Sequence, residues 1–197
     1  MKKIAIAALA VLFAAALIPQ TLEAGVGIKA GYSLSKIVET PPFLWENLPF
    51  FVGGLSFEGG LGFISIQPEV LYVRMGGKFT PGDFEFRFNY IQVPVLLKLN
   101  VVPAGPVRPF IAAGGYGAYL IKAEGVIGGG LPEDLTGNYE RYDYGIVGGA
   151  GIAFKLPGIT LSVEGRYNYG LMNILKDPAA GDSSKNRSLM ALVGLGF

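Results

Sequence analysis

The chain has 197 residues, of which 51% are hydrophobic and 16% charged, with 30 glycines and no cysteine or histidine. Soluble domains carry about 25% charged residues, so either part of the apolar surface faces something other than water or the core is unusually large. The 16 basic and 15 acidic side chains are too balanced for nucleic-acid binding, and the missing histidine and cysteine exclude Ser-His-Asp triads, cysteine nucleophiles and His/Cys metal sites.

Residues 1–24 predict a secretory signal peptide. Lys2 and Lys3 form a basic start, residues 4–18 are an unbroken apolar run, and Pro19 ends any helix there. This run is short for a membrane-spanning helix and typical of a signal peptide. We predict cleavage after Ala24, which leaves an exported domain of residues 25–197.

The rest of the chain predicts β-strands, because apolar and polar residues alternate with period two. The clearest case is residues 159–171, where Leu161, Val163 and Tyr167 alternate with polar residues or glycine. A change of parity at Tyr90–Ile91 predicts a β-bulge. The predicted strands are residues 26–35, 51–61, 63–74, 84–99, 107–121, 142–154, 159–171 and 188–197.

The connections between these eight strands alternate between long and short. This order is typical of an all-β, eight-stranded antiparallel up-and-down transmembrane β-barrel, with long external loops at one rim and tight turns at the other. Each strand is long enough to cross about 25 Å of hydrocarbon at a tilt near 45°.

The apolar face of each strand is predicted to point outward to lipid. A soluble lipocalin-type barrel would need a densely charged outer face, whereas the second face here is mostly small residues, which suit a narrow interior. Its charges have both signs, so we predict an internal salt-bridge network with Glu69, Gln92, Glu164 and Arg166 near mid-height. The charged residues assigned to this face are Lys29, Glu58, Glu69, Glu85, Arg87, Lys98, Asp143, Glu164 and Arg166.

Aromatic residues and one loop complete the pattern. An aromatic girdle toward the long-loop side is predicted from Tyr32, Tyr72, Tyr90, Tyr167 and Tyr169. The loop at residues 39–51 is unusually apolar for an exposed segment. It is expected to fold over the barrel mouth, dip into the outer leaflet or bind a partner, and its apolar residues are Phe43, Leu44, Trp45, Leu48 and Phe50.

Seven segments, in order, resemble the PorT-type outer-membrane β-barrel family. They include "ISIQPEVLY" at Ile64, "YIQVPVLLKL" at Tyr90 and "LSVEGRYNYGLMNI" at Leu161, and together they extend over essentially the whole mature chain. The terminal Phe197 is similar to the assembly signal of outer-membrane barrels. The resemblance implies a Gram-negative outer membrane, with lipid, the barrel assembly machinery and a secretion or surface protein as partners. The family's named member assists protein secretion and gliding, a role that a shared barrel pattern does not transfer.

The candidate chemistry favours a structural interpretation. Glu164, Arg166 and Glu69 fit an ion-pair plug better than a catalytic cluster, and the polar loops lack the spacing of a calcium site. We therefore expect a non-enzymatic barrel with a filled lumen, without cofactor or metal, whose external loops have structural or interaction roles. The alternatives are a narrow, porin-like solute channel and a lipid-modifying enzyme with a carboxylate base beside Ser65 or Ser162.

Overall fold

The computed structural model describes residues 23–40, 45–79, 83–102, 104–176 and 181–197. Within these ranges no helix is long and apolar enough to span a membrane. The strands there are β1 (Glu23–Thr40), β2 (Trp45–Glu46), β3 (Leu48–Leu61), β4 (Ile64–Phe79), β5 (Phe84–Asn100), β6 (Val107–Ile127), β7 (Glu133–Asp134), β8 (Tyr142–Leu156), β9 (Ile159–Gly170) and β10 (Ser183–Gly196). The predicted signal peptide falls mostly on residues outside these ranges and stays a prediction.

The eight long strands form a closed antiparallel barrel. Each pairs with its neighbours along the chain, and the first and last long strands close the sheet, with Tyr32 opposite Ala191. Closure leaves no free sheet edge in the wall, which satisfies the backbone without water. The predicted fold class is confirmed.

The predicted orientation of the faces is also correct. Leu161, Val163 and Tyr167 are exposed on the outside of β9, whereas Glu164 and Arg166 are only 4% and 3% exposed. The outer surface carries an apolar band that continues around the wall. Its exposed residues include Ile28, Leu55, Ile66, Val95, Leu97, Ile111, Ile146, Ile152, Val163 and Val193.

Several strands extend beyond their predicted ends on the long-loop side. β4 continues to Phe79 and β6 to Ile127, while β10 already begins at Ser183. The apolar alternation inverts in the extensions of β4 and β6, whereas the buried residues of the β10 extension include the polar Ser184 and Asn186. In β4 the inward residues change from Gln67 and Glu69 to Val73 and Met75, as expected for a sheet that leaves lipid and enters water.

The predicted bulge at Tyr90–Ile91 has a different origin. A register shift does occur next to Tyr90, but the extra residue is Ile121 on β6, because Asn89 pairs with Lys122 and Tyr90 with Leu120. β5 itself keeps Phe88, Tyr90 and Gln92 inward. The side chains of β5 therefore keep alternating between the inside and the outside through this point. The change of parity in the sequence marks the level at which the surroundings of the strand change from lipid to water.

Two connections fold over the long-loop rim. Ile174 is fully buried, and the Glu140 amide donates to its carbonyl oxygen at 2.9 Å. Tyr139 pairs with Leu175 and packs edge-on against Phe88, with ring centroids 4.7 Å apart. These contacts join the two connections to the side chains that fill the barrel.

Candidate functional site

A cluster of four alternating charges lies inside the barrel. The Lys29 ammonium is 2.8 Å from Glu69 Oε1 and 2.7 Å from Glu164 Oε1. The Arg166 guanidinium donates to both oxygens of Glu69, at 2.5 and 2.7 Å, and to Glu164 at 2.6 Å. We call these four residues the charge plug. Each cation contacts both carboxylates, so the plug is formally neutral and its buried charges are paired.

The charge plug joins three strands that lie apart in the sequence. β9 supplies Glu164 and Arg166, whose two-residue spacing puts both side chains on the inner face. β1 supplies Lys29 and β4 supplies Glu69, to which Gln67 also donates, at 2.5 Å. The plug therefore crosslinks opposite walls of the barrel.

Glycines on neighbouring strands leave the space that these side chains occupy. A Cβ at Gly151 would lie 2.7 Å from Glu164 Cβ and 2.5 Å from the Phe110 ring. A Cβ at Gly194 would lie 2.5 Å from Ser162 Oγ and 3.4 Å from Lys29 Cγ. The glycine-rich strands thus carry a packing signal for the interior.

A second ion pair lies nearer the tight-turn end. Lys98 Nζ donates to the two Glu58 oxygens at 3.0 and 2.8 Å and lies 4.4 Å from the Phe110 ring centroid. Ser65 Oγ donates to the same carboxylate at 2.7 Å. These residues line a half-open cavity of about 440 Å³ at this end, so the predicted network consists of two separate clusters.

Gln92 does not join the charge plug. Its Oε1 accepts a long hydrogen bond of 3.4 Å from Asn168, and its Nε2 has no hydrogen-bond partner. The buried Asp143 is likewise separate, because its hydrogen-bond partner is the Asn186 amide, at 2.9 Å. Amide groups therefore form the layer between the charge plug and the long-loop side.

The prediction for Tyr90 was wrong. Tyr90 is fully buried inside the barrel, where its hydroxyl accepts a 3.3 Å hydrogen bond from Asn186. Its side chain belongs to the inner face because alternation in β5 is unbroken. Glu85 and Arg87 were also misassigned to the lumen, since they are partly exposed on the loop-side part of β5, where they pair with each other at 2.6 Å.

The other four tyrosines of the predicted girdle face outward. Tyr32 is 66% exposed, and Tyr72, Tyr167 and Tyr169 are between 36% and 46% exposed. Sequence reasoning missed further outward aromatic residues toward the same rim. These are Phe51, Tyr142 and Tyr144.

The long-loop half of the interior holds an apolar core, which the sequence analysis did not predict. Its fully buried members include Val52, Val73, Phe88, Leu120 and Ile174. The signal was present as inward apolar residues at the ends of β4 to β6. We call the buried apolar residues in this half of the interior, Met75 among them, the loop-side core.

The prediction of an apolar external loop was wrong for two residues. Leu48 and Phe50 lie in β3, and Phe50 is 8% exposed inside the barrel. Phe43 and Leu44 lie outside the described residues. Trp45 belongs to β2, where its backbone pairs with Phe79.

The remaining predicted positions have local roles. The Phe197 ring is exposed, and its backbone exchanges two hydrogen bonds with Val26. In the β6–β8 connection, hydrogen bonds from the Thr136 hydroxyl and amide hold the pKa of Asp134 below its usual value. Among the described residues, no three acidic side chains are grouped so that they could hold a metal ion.

The chemical arrangement is that of a filled barrel. Each carboxylate of the charge plug accepts hydrogen bonds from both cations, so neither is placed as a general base. Ser65 has a carboxylate beside it, as the enzyme alternative requires, but Ser65 is 4% exposed and faces the interior, away from lipid.

Three solved structures are similar to this chain, and the first of them, Neisserial surface protein A, supports the fold. Neisserial surface protein A is 16% identical, with a TM-score of 0.55, and the match covers 88% of this chain and 95% of that one. The attachment invasion locus protein Ail of Yersinia pestis is 18% identical, with a TM-score of 0.48 and coverage of 89% and 99%. The N-terminal β-barrel domain of Pseudomonas aeruginosa OprF is 14% identical, with a TM-score of 0.49 and coverage of 88% and 96%.

The comparison with curated proteins gave no match. The model of one protein family, described as the outer membrane protein beta-barrel domain, matches residues 19–176. This match extends over most of the chain and agrees with the closed barrel, its outward apolar band and its polar interior. The chain therefore belongs to the outer membrane protein beta-barrel domain family.

Proposed function

We propose that the protein is a non-conducting, non-enzymatic outer-membrane barrel whose long-loop end is an interaction surface. The observation that carries this proposal is that side chains fill the interior at two levels. Glu69 in the charge plug is fully buried, and so are Val73, Phe88 and Leu120 in the loop-side core. Eight strands leave an interior that side chains just fill, whereas aqueous channels belong to larger barrels.

Conductance across a planar bilayer tests this proposal against a narrow, porin-like channel. We expect no discrete openings from the purified protein. The variant Glu69→Ala should also stay silent, because the loop-side core still closes the lumen. Discrete openings in the natural protein would overturn the proposal, and openings in Glu69→Ala alone would show that the loop-side core is no barrier.

The enzyme alternative has one supporting observation, the 2.7 Å hydrogen bond between Ser65 and Glu58. Two features oppose it. The same carboxylate is paired with Lys98, and the serine lies inside the barrel. Mass spectrometry of outer-membrane lipids incubated with the protein and with Ser65→Ala should find unchanged lipid in both cases.

The finer assignments are part of the same proposal. Residues 1–24 direct export, and within its family the chain is a PorT-type member, which the ordered set of segments supports. Its partners are outer-membrane lipid, the barrel assembly machinery and a secretion or surface protein. Extraction in mild detergent should retain a stoichiometric companion, and a protein that purifies alone would count against the protein partner.

A further inference from the structure

A groove lies on the outer wall of the barrel at the loop-side edge of the apolar band. It has a volume of about 350 Å³ and is half open. Phe51 of β3 and Tyr72 of β4 form its aromatic walls, with 57% and 36% of their surface exposed. Pro49 and Arg74 complete its outward lining. The groove therefore combines an apolar surface with one cation.

Arg74 differs from the neighbouring cations in its partners. Its Nε donates to Asn89 Oδ1 at 2.7 Å, and the same oxygen accepts from the Tyr72 hydroxyl at 2.9 Å. Among the ion pairs between described residues, none includes Arg74, whereas Arg87 pairs with Glu85 and Lys122 with Glu124. The two terminal Nη groups of Arg74 thus remain as charged donors on a side chain that Asn89 positions.

The groove lies where an anionic headgroup would be. Along β4, Ile66 and Tyr72 belong to the apolar band, and Arg74 is the next outward residue. Aromatic side chains mark the membrane interface. The planar guanidinium matches the oxygens of a phosphate group, whereas the neighbouring Lys122 is paired with Glu124 and adds no net charge.

We propose that this groove binds a phosphate-bearing lipid of the outer leaflet. The Arg74 Nη groups hold the headgroup phosphate, and the upper part of an acyl chain lies against Phe51 and Tyr72. The proposal depends on the outer-membrane placement of the barrel but not on whether the barrel conducts. It assigns a specific lipid contact to one side of the wall.

Native mass spectrometry of the full chain in detergent tests the proposal. The probes are dioleoyl phosphatidic acid and dioleoylglycerol, which share their acyl chains and differ in the phosphate. We expect about tenfold tighter binding of phosphatidic acid to the natural protein, since one charge-assisted interaction has this magnitude. Arg74→Gln should lose most of this preference, and Arg74→Lys should retain part of it.

The matched control is Lys155→Gln, which removes one positive charge from an exposed residue at the turn-side end of β8, at the opposite rim from the groove. It should change the affinity by less than about twofold. Equal losses in Lys155→Gln and Arg74→Gln would overturn the proposal, as would equal binding of the two lipids. Displacement of phosphatidic acid by equimolar inorganic phosphate would also overturn it, because the site would then recognise free phosphate.

A second variant keeps the test independent of the folding of Arg74→Gln. Phe51→Ala should weaken binding of both lipids by a similar factor and leave the preference for phosphate in place. Unchanged binding of both lipids in Phe51→Ala would contradict the groove. Conductance recordings of Arg74→Gln should stay silent, so failure of lipid binding and failure of the closed-barrel proposal are distinguishable.

Discussion

The turn-side and loop-side halves of the barrel interior are built in opposite ways. The turn-side half contains the charge plug and the Lys98–Glu58 pair, and apolar residues cover its outer wall. The loop-side half contains an apolar core, and its outer wall carries ion pairs such as Arg87–Glu85. β4 and β5 each contribute to both halves, so strand identity does not explain the difference between their inward residues.

The medium outside the wall explains it. Where lipid surrounds the barrel, outward residues must be apolar, and polar residues are tolerated inside when they are paired. Where water surrounds the wall, burial of apolar side chains inside is what stabilises the sheet. In β4 the change falls between Glu69 and Val73, and in β5 it falls near Tyr90. The two halves should therefore respond differently to substitution.

The largest effect is expected from Glu69→Gln. This change keeps the side-chain shape but leaves Lys29 and Arg166 to share a single carboxylate, that of Glu164. Breaking a buried ion network in this way costs about 3–5 kcal/mol. Urea unfolding in lipid vesicles measures the free energy of unfolding.

The control for Glu69→Gln is Glu58→Gln. The Glu58 side chain is 35% exposed and pairs with one cation, Lys98, whose side chain is 7% exposed, so Glu58→Gln should cost less than Glu69→Gln, which removes the charge that faces two buried cations. Equal costs for the two variants would show that burial and the second cation do not distinguish the charge plug from the Lys98–Glu58 pair.

In the loop-side core, Met75→Ala should destabilise the protein by about 3 kcal/mol, because Met75 is 1% exposed and its removal leaves a cavity. Met75→Leu nearly conserves volume and should cost less than about 1.5 kcal/mol. The same unfolding experiment measures both variants. A neutral Met75→Ala would contradict a packed core above the charge plug.

A smaller effect, about 2 kcal/mol, is expected for Gly76→Ala, which tests the close packing of the β4 extension. A Cβ at Gly76 would lie 1.9 Å from the Phe86 carbonyl oxygen, and its φ of +155° disfavours side chains. Ser35 Oγ also bonds both its amide and its carbonyl. Gly117→Ala is the control, since nothing lies within 4 Å of that Cβ; equal stability of the two variants would refute the close approach.

The smallest effect concerns the β6–β8 connection and pH. Because the pKa of Asp134 is lowered by Thr136, the stabilisation is present above the unfolded value of about 3.9 and is lost as pH falls through the lower folded value. The NMR shift of the Thr136 amide should therefore titrate with a midpoint below pH 3.9. Asp134→Asn should abolish that transition, and a midpoint above about pH 4 would contradict the hydrogen bonds.

Part of this fold could be predicted from local patterns. Alternation in residues 159–171 correctly places Leu161 outside and Arg166 inside, because period two follows from strand geometry. The same reasoning failed at Tyr90, and Phe50 was predicted in an external loop instead of on the inner face of a strand. Both residues are apolar enough for the lipid-facing side, and their own sequence does not say at which level the membrane ends.

The amino-acid sequence by itself determined the number of long strands, the alternation of long and short connections and the outward direction of the apolar face, since these depend on neighbouring residues and on the surrounding lipid. The tertiary structure alone decided which charges meet inside, because Lys29, Glu69 and Arg166 come together only when the sheet closes. It also decided where the interior changes from polar to apolar. That level depends on how far the strands rise together beyond the hydrocarbon, a property of the assembled wall and not of any one segment.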